Sequence, residues 1–202
     1  MQTWRFDMRY RGLLTQPAGL IYGDFTPDLL EDPFPIPDDW RRGLGIDFGG
    51  ANNAILFFAE EPSTEVWHLY HEWLGGGQAT ADYVAVAKEH IIKECEAWGG
   101  AHSESQARRD WADAGLAIME PPVSDVEPGI DRATELIKGK RLRVFRTCHG
   151  FRDEIGTYRR KVDDQGSVLE EIVAKREFHR MDAMRYFASG VVGMSGPWIT
   201  LI

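Results

Sequence analysis

The chain has 202 residues, of which 43% are hydrophobic and 27% charged, a composition typical of one globular domain. Its formal net charge of −9 disfavours a protein that coats nucleic acid passively, because nonspecific affinity for DNA comes mainly from cations that neutralise phosphates. An enzyme whose clustered carboxylates are neutralised by metal ions stays possible. No apolar run is long enough to span a bilayer, and no signal-peptide pattern opens the chain, so we expect a soluble intracellular protein.

The first part of the chain predicts an irregular lead-in followed by three strands. Residues 1–42 mix prolines with aromatic residues and show no sustained periodicity, so we expect them to pack on the core without regular structure. Three apolar runs with short turns between them then predict an antiparallel meander. They cover residues 44–50, 54–59 and 66–71.

The rest of the chain alternates between predicted helices and strands. Helical spacing of apolar residues predicts a long amphipathic helix over residues 80–98. Cys95 falls in this helix and Cys148 lies far from it, so we expect two reduced cysteines that serve packing. Further helices are predicted over residues 105–114, 125–137, 151–160 and 177–188, with strands over 116–119 and 142–145. This order predicts an α/β fold with a mixed sheet flanked by helices, as in ribonuclease-H-like folds.

Asp47 is the first candidate for chemistry. It lies near the C-terminal end of an otherwise apolar strand that is followed by two glycines. An unpaired buried carboxylate costs several kcal/mol, so we expect a cation, a metal ion or water beside it. A turn-capping role is the simpler alternative. The segment from Gly45 to Asn53 also resembles the first phosphate loop of the actin, sugar-kinase and heat-shock-70 ATPases. Those proteins need a second lobe and a second such loop, and neither is visible here.

Two further acidic positions complete a candidate site. Glu104 stands at the start of a predicted helix, where an acid is also favoured simply by the helix dipole. His179 and Asp182 share one face of the last helix, where a surface ion pair is the simpler alternative. Three carboxylates from a first strand, a middle element and a last helix would suit two divalent ions about 4 Å apart, as used in phosphodiester hydrolysis.

Several separate blocks together resemble the nuclease domain of phage and prophage large terminases over almost the whole chain. The most specific is Phe178–Tyr186, which matches a His-x-x-Asp-Ala-x-Arg-Tyr pattern, and the strand from Gly45 to Gly49 matches the first catalytic strand. The second acidic block departs from the family, since many members have Asp-Pro where this chain has His102-Ser103-Glu104. The other blocks are Tyr10–Gly12, residues 17–22, Pro35–Pro37 with Trp40, residues 120–122 and residues 125–130.

The resemblance implies a metal-dependent endonuclease that cuts double-stranded concatemeric viral DNA during packaging. It implies metal ligands at Asp47, Glu104 and Asp182, with His179 completing the catalytic set, and two Mg²⁺ or Mn²⁺ ions. Residues 43–190 would be the nuclease domain and 191–202 a C-terminal tail, while the P-loop of the ATPase domain is absent. The expected partners are double-stranded DNA, the ATPase domain, the small terminase and the portal, in the cytoplasm of a bacterial or archaeal host, with no membrane contact.

A basic run between residues 138 and 161 predicts a DNA-contacting surface, although a solvated face is the alternative. The run also contains the aromatic residues Phe151 and Tyr158. Its expected phosphate contacts are Arg141, Arg143, Arg146, Arg152, Arg159, Arg160 and Lys161.

Two other functions remain open. The chain could be a catalytically idle docking or regulatory module, in which the acids are ordinary caps. It could also be another ribonuclease-H-like enzyme, such as a junction resolvase. Metal-activated cleavage of plasmid separates the nuclease from the idle module, and a preference for branched DNA would indicate the resolvase.

Overall fold

The computed structural model describes residues 17–49, 51–91 and 95–192. Tyr10–Gly12 of the resemblance and most of the predicted C-terminal tail lie outside these ranges. Six strands form one mixed sheet in the order β1-β6-β4-β3-β2-β5, and β7 and β8 form a separate hairpin. The strands are β1 Leu30–Glu31, β2 Arg41–Asp47, β3 Asn53–Glu61, β4 Val66–Gly75, β5 Cys95–Gly99, β6 Leu142–Phe145, β7 Arg160–Val162 and β8 Val168–Ile172.

Helices cover both faces of the sheet, and each face has its own apolar cluster. The helices are α1 Thr80–Glu89, α2 Ser105–Asp113, α3 Val126–Lys138, α4 His149–Ile155 and α5 His179–Val191, with short 3-10 turns at Pro27–Leu29, His102–Glu104 and Lys175–Glu177. The first three long strands form the expected antiparallel meander. The predicted mixed α/β sheet flanked by helices is therefore confirmed.

Strand β2 connects the two faces through its alternating side chains. Leu44 and Ile46 enter the cluster beneath α1 and α2. Gly43 and Gly45 face the other way, against α5, and a β-carbon on Gly45 would collide with the Ala183 carbonyl oxygen and lie 2.9 Å from Phe187 Cβ. Helix α5 therefore packs directly on the backbone of β2.

Four predictions differ from the structure. Residues 1–42 are predicted to lack regular structure, but Leu30–Glu31 forms strand β1 of the sheet and β2 already begins at Arg41. The helix predicted over residues 80–98 ends at Glu89, and Cys95–Gly99 is a strand that pairs in parallel with β2. The strand predicted over residues 116–119 is only an isolated bridge between Met119 and Trp98. The helix predicted over 151–160 ends at Ile155, because Gly156 caps it and the chain then turns into β7.

Both cysteines are free, as the sequence predicts. Cys148 is buried, and its thiol donates to the carbonyl oxygen of Leu69 at 3.6 Å. Cys95 lies in β5 and is partly exposed. Among the described residues, no helix is both long and apolar enough to cross a bilayer.

The close contact between β2 and α5 gives a test of the packing. Gly45→Ala should lower the free energy of unfolding by about 1–3 kcal/mol, because the new methyl group meets helix backbone that cannot move aside cheaply. Gly156→Ala is the control, since its φ is negative and its nearest neighbour would be the Arg152 carbonyl oxygen at 3.2 Å. Urea denaturation measures both, and equal midpoints for the two variants would contradict the proposed contact.

Candidate functional site

The candidate site lies at one edge of the sheet, where parallel strands β2 and β5 both end. Asp47 is the last residue of β2, and the register places its neighbour Ile46 opposite Gly99 at the end of β5. The first turn of α5 reaches the same edge, because α5 packs along β2. The topology therefore brings together three segments that are far apart in sequence.

Asp47 is a buried carboxylate with an unfavourable charge. Its side chain is 11% exposed, and His179 Nδ1–H donates to Oδ2 at 2.8 Å. Burial raises the pKa of Asp47 to about 6, the negative charge of Asp182 adds to the rise, and Glu104 adds less, while the hydrogen bond from His179 opposes them. Asp182 and Glu104 thus both lie within electrostatic reach of Asp47.

Glu104 occupies the 3-10 turn that follows β5. Its Oε2 accepts a hydrogen bond from the backbone N–H of Ala101 at 2.6 Å, so the capping alternative holds for one of its two oxygens. The buried Arg108 braces the same turn by donating to the carbonyl oxygens of Gly99 and Ala101 and to the Glu120 carboxylate. Arg108 is not among the predicted site residues, although it stands one helical turn after Glu104.

Asp182 is held by two cations. Lys175 Nζ lies 2.5 Å from Oδ1 and 2.6 Å from Oδ2, and Arg185 donates to Oδ1 through Nη2 at 2.5 Å and Nε at 3.1 Å. Arg185 is only 2% exposed, so Asp182 is the partner of a buried charge. Both cations were missed from sequence, although Arg185 has the i, i+3 spacing of an ion pair within one helix.

A third charged group fixes the beginning of α5. Phe178, the residue before the helix, provides no side-chain cap, and Glu154 of α4 instead accepts from the backbone N–H groups of Arg180 at 2.9 Å and Met181 at 3.3 Å. Glu72 of β4 caps α4 in the same way, at 2.6 Å from two backbone nitrogens. The Arg180 guanidinium contacts both carboxylates. These contacts fix the start of α5 and therefore the positions of His179 and Asp182.

The side chains as they lie do not form a ready metal site. Within residues 17–49, 51–91 and 95–192, no three histidine, cysteine or acidic side chains converge on a point where a metal ion could be held. Both oxygens of Asp182 face cations instead. The structure brings Asp47, Glu104, His179 and Asp182 to one edge, and their roles remain a proposal.

Much of the predicted DNA-contacting run forms ion pairs inside the chain. Arg160 is paired with Glu127, Lys161 with Glu171 and Arg146 with Asp32. Arg143 and Arg152 donate to backbone carbonyl oxygens. Phe151 and Tyr158 are fully buried and do not present their ring faces to a ligand. For Arg141 and Arg159, as for the whole run, contact with DNA stays a prediction.

The chain is similar in sequence to two phage proteins. No protein-family model matches it. It is 26% identical over 197 residues to the large terminase subunit of Enterobacteria phage LP7 and 26% identical over 197 residues to that of Salmonella phage P22. The alignments cover 89% of this chain but only 39% and 37% of those proteins. The chain thus spans less than two fifths of the length of the curated relatives it matches.

Solved structures share its fold. The P22 large terminase nuclease domain superposes with a TM-score of 0.66 at 23% identity, covering 85% of this chain and 92% of that one. The nuclease domain of the SPP1 large terminase with bound Mn gives 0.62 at 12% identity, with 82% and 96% covered. A large terminase from a thermophilic bacteriophage, in complex with ADP, gives 0.71 at 17% identity, with 96% and 53% covered.

The mixed sheet and its flanking helices thus have a ribonuclease-H-like fold. More narrowly, the chain is similar in sequence to phage large terminase subunits, and its fold is that of solved terminase nuclease domains.

The raised pKa of Asp47 gives a pH-dependent test. The unfolded state ionises near pH 3.8 and the folded state near pH 6, so Asp47 costs stability progressively across this window and by about 3 kcal/mol above it. Asp47→Asn removes this cost. We expect the variant to match the parent near pH 4 and to be more stable by up to about 3 kcal/mol at pH 7.5.

Urea denaturation in EDTA at several pH values measures this difference. Asp110→Asn is the matched control, because Asp110 is an exposed acid on α2 that bonds to Gln106. A difference between Asp47→Asn and the parent that stays constant with pH would show that Asp47 is not a buried charge.

Proposed function

We propose that the chain is the metal-dependent endonuclease domain of a DNA-packaging terminase, which hydrolyses double-stranded concatemeric viral DNA with two divalent ions. The observation that carries the proposal is Asp47, a buried carboxylate at the end of strand β2 whose pKa is raised by burial and by Asp182 and Glu104. It occupies this position in a fold shared with terminase nuclease domains. Such a cluster of carboxylates would hold divalent ions against a DNA phosphate, which is what phosphodiester hydrolysis by metal ions requires.

The donor set suits a hard divalent cation. Asp47, Glu104 and Asp182 offer carboxylate oxygens, which are the ligands that Mg²⁺ and Mn²⁺ prefer. The cost of the Asp47 charge would be relieved by a cation beside it. Among the structural neighbours, the SPP1 domain is described with bound Mn and the phage G20c domain with bound cobalt, the latter at a TM-score of 0.56.

Each residue has a distinct role in this proposal. Asp47, Glu104 and Asp182 would hold the ions, and bound ions supply Lewis-acid stabilisation of the attacking and leaving oxygens. His179 orients the Asp47 carboxylate through its Nδ1–H. Glu154 and Glu72, through α4 and Arg180, hold the first turn of α5 against the sheet edge.

The remaining expectations extend the same proposal. Residues 43–190 would form the nuclease domain, between a lead-in over residues 1–42 and a tail over 191–202. The chain would act in the host cytoplasm together with an ATPase domain, the small terminase and the portal. The large terminase described with ADP, of which this chain covers 53%, supports a nucleotide-binding companion.

One observation favours an idle docking module instead. Both oxygens of Asp182 are already engaged by Lys175 and Arg185, as they would be in a purely structural ion pair. Cleavage assays with plasmid decide between the two functions. A resolvase would cut branched DNA in preference to linear DNA in the same assay.

The nuclease proposal predicts the effect of removing single ligand charges. Asp47→Asn and Glu104→Gln should each reduce Mn²⁺-dependent plasmid cleavage by on the order of 100-fold or more, because each removes a charge that holds an ion without changing size. Asp110→Asn should cleave like the parent. Unchanged nicking by Asp47→Asn would remove the metal-site proposal.

Asp182→Asn needs a stability control, because it also strands the buried guanidinium of Arg185. Breaking a buried pair from one side costs several kcal/mol, so we expect a loss of about 2–4 kcal/mol in the free energy of unfolding. Its cleavage should therefore be measured well below its melting temperature.

DNA contact is tested by salt dependence. We choose Arg152 and Arg159, because the described residues offer them no carboxylate partner, whereas Arg160 is held by Glu127. Changing both to Gln should weaken binding to any sequence and reduce the slope of log K against log salt by about one unit per lost contact. Lys138 and Lys140, which pair with Asp24 and Asp28, form the matched double control. If the Arg152/Arg159 double variant has the same salt slope as the Lys138/Lys140 double control, the proposal that Arg152 and Arg159 contact DNA is rejected.

A further inference from the structure

Lys175 occupies the space beside both carboxylate oxygens of Asp182. Its ammonium group lies within 2.6 Å of both carboxylate oxygens. Lys175 begins the 3-10 turn that joins the β7–β8 hairpin to α5, and the preceding residue, Ala174, takes a left-handed conformation with a φ of 49°. The turn out of the hairpin therefore directs this lysine toward the site.

The two cations that hold Asp182 differ in their freedom to move. Arg185 is 2% exposed, donates also to the Asp125 carbonyl oxygen at 3.3 Å, and bonds only to Oδ1 of the carboxylate. The side chain of Lys175 is 28% exposed and has a flexible four-carbon stem. Withdrawal of Lys175 alone would leave Oδ2 available to an ion while Arg185 still holds Oδ1.

A cavity next to Lys175 gives it a place to move. The cavity has a volume of about 580 Å³ and is lined by Lys175, the end of the hairpin and the first turn of α3. Its walls carry the acidic residues Glu127, Glu170, Glu171 and Glu177 and the basic residue Arg176. Glu127 and Glu171 are already paired with Arg160 and Lys161, so Glu170 and Glu177 are the acids that an ammonium group leaving Asp182 would meet.

We propose that Lys175 is an internal counter-ion, which neutralises Asp182 in the metal-free protein and swings toward the cavity when a divalent ion binds. The inference rests on the proposed role of Asp182 as a metal ligand. The lysine lowers the repulsion among the carboxylates while the ions are absent, and it competes with the ions for Oδ2. Metal affinity is then weaker than the carboxylates alone would give, and the end of the hairpin is coupled to the site.

Mn²⁺ binding by isothermal titration calorimetry, without DNA, tests the competition. Lys175→Met removes the charge and keeps the stem, and should bind Mn²⁺ about tenfold more tightly than the parent. Arg176→Met is the matched control, because it removes one exposed cation from the same turn, and the described contacts include none between Arg176 and Asp182. It should bind like the parent.

Thermal unfolding separates competition from a structural role. Lys175→Met should melt lower than the parent in EDTA and gain more from saturating Mn²⁺, since the ion replaces the lost counter-charge. Equal losses with and without Mn²⁺, together with an unchanged or weaker dissociation constant, would overturn the proposal. If the Met variant does not fold, Lys175→Gln keeps a hydrogen-bond donor without the charge, and the same tighter binding is expected of it.

Failure of the underlying function gives a different pattern. If Asp182 is not a ligand, Asp182→Asn binds Mn²⁺ like the parent, or the parent shows no binding at all. If Asp182 is a ligand and Lys175 does not compete, Asp182→Asn weakens binding while Lys175→Met leaves it unchanged. The two ideas therefore fail separately.

Discussion

The direct contact between helix α5 and strand β2 determines the geometry of the acidic edge. Gly43 and Gly45 leave no side chain between the two elements, so the helix lies on strand backbone. Alternation along β2 puts Asp47 on the same face as these glycines, two residues further on. The first turn of α5 then stands over the strand end, and His179 reaches Asp47 at 2.8 Å. A larger residue at Gly45 would push α5, together with His179 and Asp182, away from β2.

The charged side chains at this edge of the sheet neutralise one another in small clusters, and not in separate one-to-one pairs. The hydrogen bond from His179 offsets part of the free-energy cost of burying Asp47, while Asp182 is held between Arg185 and Lys175. Glu72 and Glu154 are both held by Arg180 and by helix N-termini, where carboxylates are favoured by the helix dipole. The burial of so many charges costs stability that an apolar interior would not, which is typical of functional sites.

The parts of the fold that could be predicted from sequence are those with local signals. The meander follows from short apolar runs with turns between them, and β6 was predicted at its exact bounds, Leu142–Phe145, for the same reason. Strand β5 is not predicted, because Cys95 continues the helical spacing of α1. The segment is extended only because it pairs with β2. Asp47 and His179 were each proposed separately, but their hydrogen bond spans 132 residues. The contacts of Lys175 and Arg108 depend on the directions of their side chains. The spacing of apolar residues in the sequence does not indicate these directions.

The capping of α4 by Glu72 and of α5 by Glu154 links three elements in series. The backbone N–H groups of Gly150 and Phe151 depend on a strand residue, and those of Arg180 and Met181 depend on a residue of α4. Neither helix start can fray without losing a carboxylate that belongs to another element. We therefore expect strand β4, α4 and the first turn of α5 to open together, so that amide hydrogens distant in sequence share one opening free energy.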